Sequence, residues 1–260
     1  MNHPLRWLSL IALDRPVLPD FADVAAWHAE RFPEAPQPAA SASTDKLLTF
    51  TIGDYTAAAT LVPRPIPWTQ LEGPAATAWY WPDAAEALRR HQAHLLVAVI
   101  DEGGRAVEKA AILTRLTTAL VAASPSVGVF WGPGRLVHHP GAFVEQAVQM
   151  RDDNLPLFLW IDFRIEQTEE DGLRLYTTGL EALGQTELET AGYAGEAQEL
   201  LNYAYNIAHY QIDQRKLIRD GDTIGLADEV QVTARRGPSM LGGDLEVLQL
   251  QFEISGPRDT

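Results

Sequence analysis

Apolar runs no longer than a strand, each closed off by Gly, Pro or Asp and separated by helical stretches, constrain the fold of this chain more than any other feature. The first, WLSLIAL (Trp7–Leu13), stops at Asp14-Arg15-Pro16, and DFADVAAWHAERF (Asp20–Phe32) then sets Phe21, Val24, Ala25, His28 and Phe32 on one helical face. PEAPQPAASAS (Pro33–Ser43) reads as a loop, because its prolines donate no amide and its small side chains bury little. KLLTFTI and YTAAATLVP flank Gly53-Asp54 as a hairpin, and the prolines of PRPIPW (Pro63–Trp68) end the second strand. WPDAAEALRRH (Trp81–His91) is a short helix with Pro82 in a tolerated first-turn position. The order then returns: strand HLLVAVID (His94–Asp101), helix AVEKAAILTRLTTALVAAS (Ala106–Ser124), strands VGVFWG and GRLVHH around Gly132-Pro133-Gly134, and helix GAFVEQAVQMRD (Gly141–Asp152). Residues 5–91 and 94–153 thus both read strand–helix–strand–strand–helix, a repetition of architecture without aligned identities.

The last third changes pattern. LPLFLWIDFRIEQ (Leu155–Gln167) opens as a continuous apolar run and then alternates Ile161, Phe163 and Ile165 with Asp162, Arg164 and Glu166, as expected of a strand covered at one end. LRLYTTGLEAL (Leu173–Leu183) follows, and GEAQELLNYAYNIAHYQIDQRKL (Gly195–Leu217) is the clearest amphipathic helix. DEVQVTARR and LEVLQLQFEI close the pattern as strands. The expected class is α+β, with mixed or antiparallel sheets and helices packed on one side. A soft boundary near Asp152–Pro156 divides residues 1–153 from an acidic region, 154–260, with one compact domain as the alternative.

Charge narrows the partners. Residues 151–260 hold 21 Asp/Glu against 9 Lys/Arg, a net of −12, out of −15 for the chain. Nucleic acid and anionic lipid need clusters of Lys and Arg and are not expected; a basic protein partner is. The chain has no cysteine, which excludes disulfides and thiolate metal sites. No apolar segment approaches the ~20 residues of a membrane helix. The first apolar run is interrupted by Asp14 and lacks a small-residue cleavage site, so the expected compartment is the cytoplasm.

Most polar clusters read as ordinary structural features. Asp220-Gly221-Asp222 lacks the alternating oxygen ligands and closing Glu of a calcium loop and reads as a turn. His91 and His94 straddle an element boundary, and His138-His139 point to opposite faces if extended, so no metal site is expected. No Gly-x-Ser-x-Gly elbow occurs, and the glycines of WGPGR fit no nucleotide-binding pattern, so neither catalytic residues nor a cofactor are assigned. The best recognition candidate is the Trp- and Pro-rich segment carrying Trp68, Trp79 and Trp81 with Tyr80, since aromatic rings offer large contact area at small entropic cost. In TTGLEALGQTELE (Thr177–Glu189), Gly179 and Gly184 mark bends, and Glu187 and Glu189 are the first choices for contacts to a basic partner.

WPDAAEALRRHQAHLLVAVID, LTRLTTALVAASPSVGVFWGPGRLVHHPGAF, TTGLEALGQTELE and LIRDGDTIG occur in that order, and together they resemble the bacterial family called domain of unknown function 4261, over about residues 79–252. The resemblance implies no activity and no catalytic residues. It implies an association with immunity or accessory proteins of toxin-delivery systems.

The leading expectation is therefore a non-enzymatic cytoplasmic interaction protein that meets a basic partner through an acidic surface. Two alternatives stand beside it. One is a hydrolase or transferase built from Asp162, Glu187, His138 and His209; the other is a small-ligand binder using the tryptophan-rich segment.

Overall fold

A computed structural model describes residues 7–100, 103–168, 172–214, 217–227 and 230–254. The chain forms two compact units that meet in sequence between Trp160 and Ile161. This division lies beyond the expected one because Leu157, Leu159 and Trp160 are buried in the first unit. The Trp160 indole N–H donates to Thr114 Oγ1 at 2.8 Å, which ties the end of the unit to its central helix.

Unit 1 contains β1 (Leu8–Leu13), α1 (Phe21–Arg31), β2 (Ala39–Ser43), β3 (Leu47–Ile52), β4 (Tyr55–Val62), α2 (Trp68–Ala76), α3 (Ala84–Arg89), β5 (Ala93–Val99), α4 (Ala106–Ala122), β6 (Ser126–Trp131), β7 (Leu136–His138), α5 (Pro140–Val148) and α6 (Leu157–Trp160). Its sheet runs β2-β3-β4-β5-β1-β6-β7, antiparallel throughout. α4 connects β5 to β6, which lie on either side of β1 and run the same way, a split β-α-β crossover. The expected repetition survives only as an order of elements. The first half carries an additional edge strand, β2, in what reads as a loop, and an additional helix, α2, in the Trp- and Pro-rich segment.

Helices cover both faces of this sheet, which corrects the expectation of one side. On one face Ser9 hydrogen-bonds Thr117 of α4 across 2.6 Å, and α1 and α5 flank α4. On the other, Leu10 and Ala12 join Leu71, Trp81, Leu88, Phe130 and Val137 in a cluster built around α2 and α3. The reason is in β1 itself: Ser9 to Leu13 are all buried, so neither face of the strand has a polar side to turn to water. Gly128 of β6 makes the close approach of α3 possible, since a Cβ there would lie 2.5 Å from Leu88 Cδ2. α4 is buried nearly all round, and its Thr114 and Thr118 hydroxyls donate to the carbonyls one turn back at 2.7 and 2.6 Å.

Unit 2 contains β8 (Asp162–Gln167), β9 (Leu173–Thr178), a 3-10 turn (Glu181–Leu183), β10 (Leu188–Tyr193), α7 (Ala197–Gln214), β11 (Thr223–Ala227), β12 (Val230–Pro238) and β13 (Glu246–Ile254). The sheet order is β11-β12-β13-β10-β9-β8, with every pair antiparallel except β10 and β13. Here the helix does lie on one face: α7 packs along β8 and β10 through a stripe including Leu200, Ala204, Ile207 and Ala208. The apolar run from Leu155 is not one continuous strand. Its first part forms α6 at the end of unit 1, and only its alternating part becomes β8. The two units together make the protein α+β, with two mostly antiparallel sheets.

Candidate functional site

Glu187 and Glu189 stand at the start of β10, and the structure corrects the expectation that they face solvent. They are 5% and 2% exposed. Glu187 accepts from the Thr177 hydroxyl at 2.7 Å and from the amides of Gly179 and Glu181 at 2.8 and 2.9 Å. It thereby closes the bend after β9, where Gly179 and Gly184 take φ of 123° and 79°, left-handed values that suit glycine. Glu189 reaches across to the turn between β12 and β13. There it accepts from Ser239 Oγ at 2.5 Å and from the Met240 amide at 2.7 Å. The Leu241 amide in turn donates to Ser239 Oγ at 3.1 Å. A buried carboxylate is tolerated when several donors replace its water. Neither Glu187 nor Glu189 enters an ion pair among the described residues.

The turn that Glu189 holds is apolar where turns are usually polar. Met240, Leu241 and Leu245 are exposed, with Leu241 at 56%. Sequence reasoning passed over this segment, although Leu and Met beside Gly242-Gly243 at a hairpin tip are a readable anomaly. Asp220 and Asp222 serve a neighbouring turn by accepting the amides of Arg236 and Arg219 at 2.9 and 2.8 Å.

In unit 1 the three candidate tryptophans fall in three environments. Trp68 opens α2 and carries the Arg89 guanidinium 3.8 Å above its ring. Trp81 is 8% exposed, buried against the sheet and edge-on to His139. Trp79 is 70% exposed. Its ring stands at 80° to that of Tyr80, 5.5 Å between centroids. Tyr80 is fixed in turn, because its hydroxyl donates to the Val137 carbonyl at 2.9 Å and its ring stacks on His138. The aromatic segment and the His138-His139 pair, separate in sequence, therefore meet at the short edge strand β7, whose buried Val137 carbonyl accepts the Tyr80 hydroxyl.

His138 is buried, and its Nε2 has no hydrogen-bond partner among the described residues. Burial lowers its pKa from 6.5 to about 4, with the Leu159 backbone acting in the opposite sense. His91 donates from Nδ1 to the Leu88 carbonyl and accepts the Ile66 amide at Nε2 over 2.6 Å, which leaves no lone pair for a metal. His94 donates to the Arg64 carbonyl at 2.9 Å, and burial lowers its pKa. Among the described residues, no group of three His, Asp or Glu is arranged to hold a metal ion. Asp162 is paired with Arg164 at 2.6 Å. A shallow groove of about 460 Å3 between α1, α4 and α5, lined by Trp27, Arg31, Val121 and Val144 among others, takes in none of the candidate residues.

What fold and site define is an α+β protein whose second unit holds two of its turns with a pair of buried glutamates. Residues 176–251, all within unit 2, match the family described as Domain of unknown function (DUF4261), which confirms the resemblance over those residues. No curated protein and no solved structure matches the chain. None of the described helices is long and apolar enough to cross a membrane.

Proposed function

We propose that this protein is a non-enzymatic interaction module of the cytoplasm that presents an acidic surface of unit 2 to a basic protein partner. The observation that carries the reading is how the reactive-looking groups are used. Glu187, Glu189, Asp220 and Asp222 bind backbone amides of the fold, and His91 has both ring nitrogens engaged. Residues 161–260 nevertheless carry 19 acidic against 8 basic side chains. Exposed carboxylates such as Glu196, Asp244 and Glu253 contribute to long-range attraction. A toxin is the class of partner that the family resemblance implies. Association steered in this way is fast at low salt and weakens as salt rises. Affinity capture from the native organism at low and high salt tests it. Failure to recover a partner at low salt, or an affinity indifferent to salt, removes the reading.

A second reading rests on Trp79 and Tyr80, whose braced, open pair of rings suits a small planar or cationic ligand. Quenching of tryptophan emission by members of a metabolite panel, abolished in Trp79→Ala, would support it.

A further inference from the structure

We propose that the hairpin tip formed by residues 239–245 is a preorganised apolar plug that seats in an apolar pocket rimmed by Lys or Arg on the partner protein. The inference rests on the interaction reading above and names the surface and the pocket chemistry that would serve it.

The first observation is how firmly an exposed turn is held. Ser239 donates its hydroxyl to buried Glu189, its amide bonds the Leu245 carbonyl at 2.9 Å, and its carbonyl accepts the Gly242 amide at 3.1 Å. The Met240 amide adds a second bond to the same carboxylate. A solvent-exposed hairpin needs only a suitable turn sequence, which Gly242 and Gly243 already supply with φ of 82° and 83°. A carboxylate withdrawn from water and given to the turn's amide and hydroxyl donors instead fixes its conformation before any encounter. That lowers the ordering entropy lost on binding.

The second observation is what the fixed tip displays. Leu241 and Leu245 project into solvent with Met240 beside them; Asp244 is exposed next to them, and so is Glu246, whose carboxylate lies 3.6 Å from the Arg236 guanidinium. An apolar centre with a charged rim is the anatomy of a protein interface. With acidic rim residues the complement is an apolar pocket edged by cations, in line with the acid excess of the unit.

The test uses the full chain with a photo-crosslinking residue in place of Leu241, expressed in the native cells. The expected result is a discrete protein adduct that is lost when Asp244→Lys and Glu246→Lys are added. That protein, purified, should lose about 30-fold in affinity for Leu241→Asp, the size of an interface hot spot. It should lose less for Glu189→Gln, in which hydrogen exchange of the Met240 and Leu241 amides accelerates while the fold persists. Trp79→Ala should bind like the wild type. Absence of an adduct from position 241 overturns the inference. So does a captured partner whose salt-dependent affinity is unchanged in Leu241→Asp; that outcome leaves the acidic-surface reading standing and removes only the plug.

Discussion

Acidification from about pH 7.5 to about 4.5 should destabilise unit 1 through His138. In the folded unit the ring titrates at about 4, against 6.5 for the exposed group, because burial penalises the imidazolium and Nε2 has no partner among the described residues to share its charge. The unfolded chain therefore binds the proton first. The stability contributed by the neutral ring is complete above pH 6.5 and is lost as pH falls towards 4. At about 1.4 kcal/mol per pKa unit the gap corresponds to about 3 kcal/mol, a large part of the ~5–15 kcal/mol that holds a typical domain. All seven tryptophans lie within residues 1–160, so tryptophan emission follows the unfolding of unit 1 alone. Urea midpoints measured this way should fall steeply with pH in the wild type and less steeply in His138→Gln, whose side chain does not titrate. The remaining slope has contributions from His28 and His94, whose pKa values burial also lowers. Parallel pH profiles for wild type and variant would refute the reasoning, as would a His138 ring resonance that titrates near 6.5.

Three further perturbations address other parts of the fold. Thr114→Val leaves the Trp160 indole N–H without its acceptor in the core and should cost about 1–3 kcal/mol by urea denaturation, with a shift in tryptophan emission. Gly134→Ala would place a Cβ 2.4 Å from the Trp160 carbonyl oxygen, so the backbone has to move; a loss of about 1–3 kcal/mol in thermal or urea unfolding of unit 1 is expected. Glu187→Gln turns an amide NH2 towards a site arranged for acceptors only, and unit 2, followed by far-ultraviolet circular dichroism, should lose about 1–3 kcal/mol.

β1, β5 and α4 were legible in the sequence because their apolar residues run nearly unbroken, and α7 because Leu200, Ala204 and Ile207 recur on one face. β2 was not, since its Ala and Ser side chains are exposed and carry no burial pattern. β10 escaped because its interior polar residues, Glu189 and Thr190, interrupt the alternation that marks a half-buried strand. α2 was hidden by Pro67 and by Pro74, which lies inside the helix. Of the candidate residues, Trp79 occupies the exposed position that recognition needs, while Trp81 and the two glutamates face inward. In a chain this acidic, composition makes every Glu look solvated. What distinguishes Glu189 is a serine hydroxyl fifty residues away, a tertiary fact without local signature.

β13 lies inside its sheet, bonded antiparallel to β12 and parallel to β10. At the ribosome, Leu188–Tyr193 and Val230–Pro238 emerge before the strand that joins them, and until residues 246–254 clear the exit tunnel each keeps an open edge. Unit 1, whose strands all precede residue 139, can complete its sheet earlier. The nascent chain thus carries one finished body and one unfinished, and a translational stall before Glu246 exposes two unsaturated backbone edges that a chaperone would have to shield.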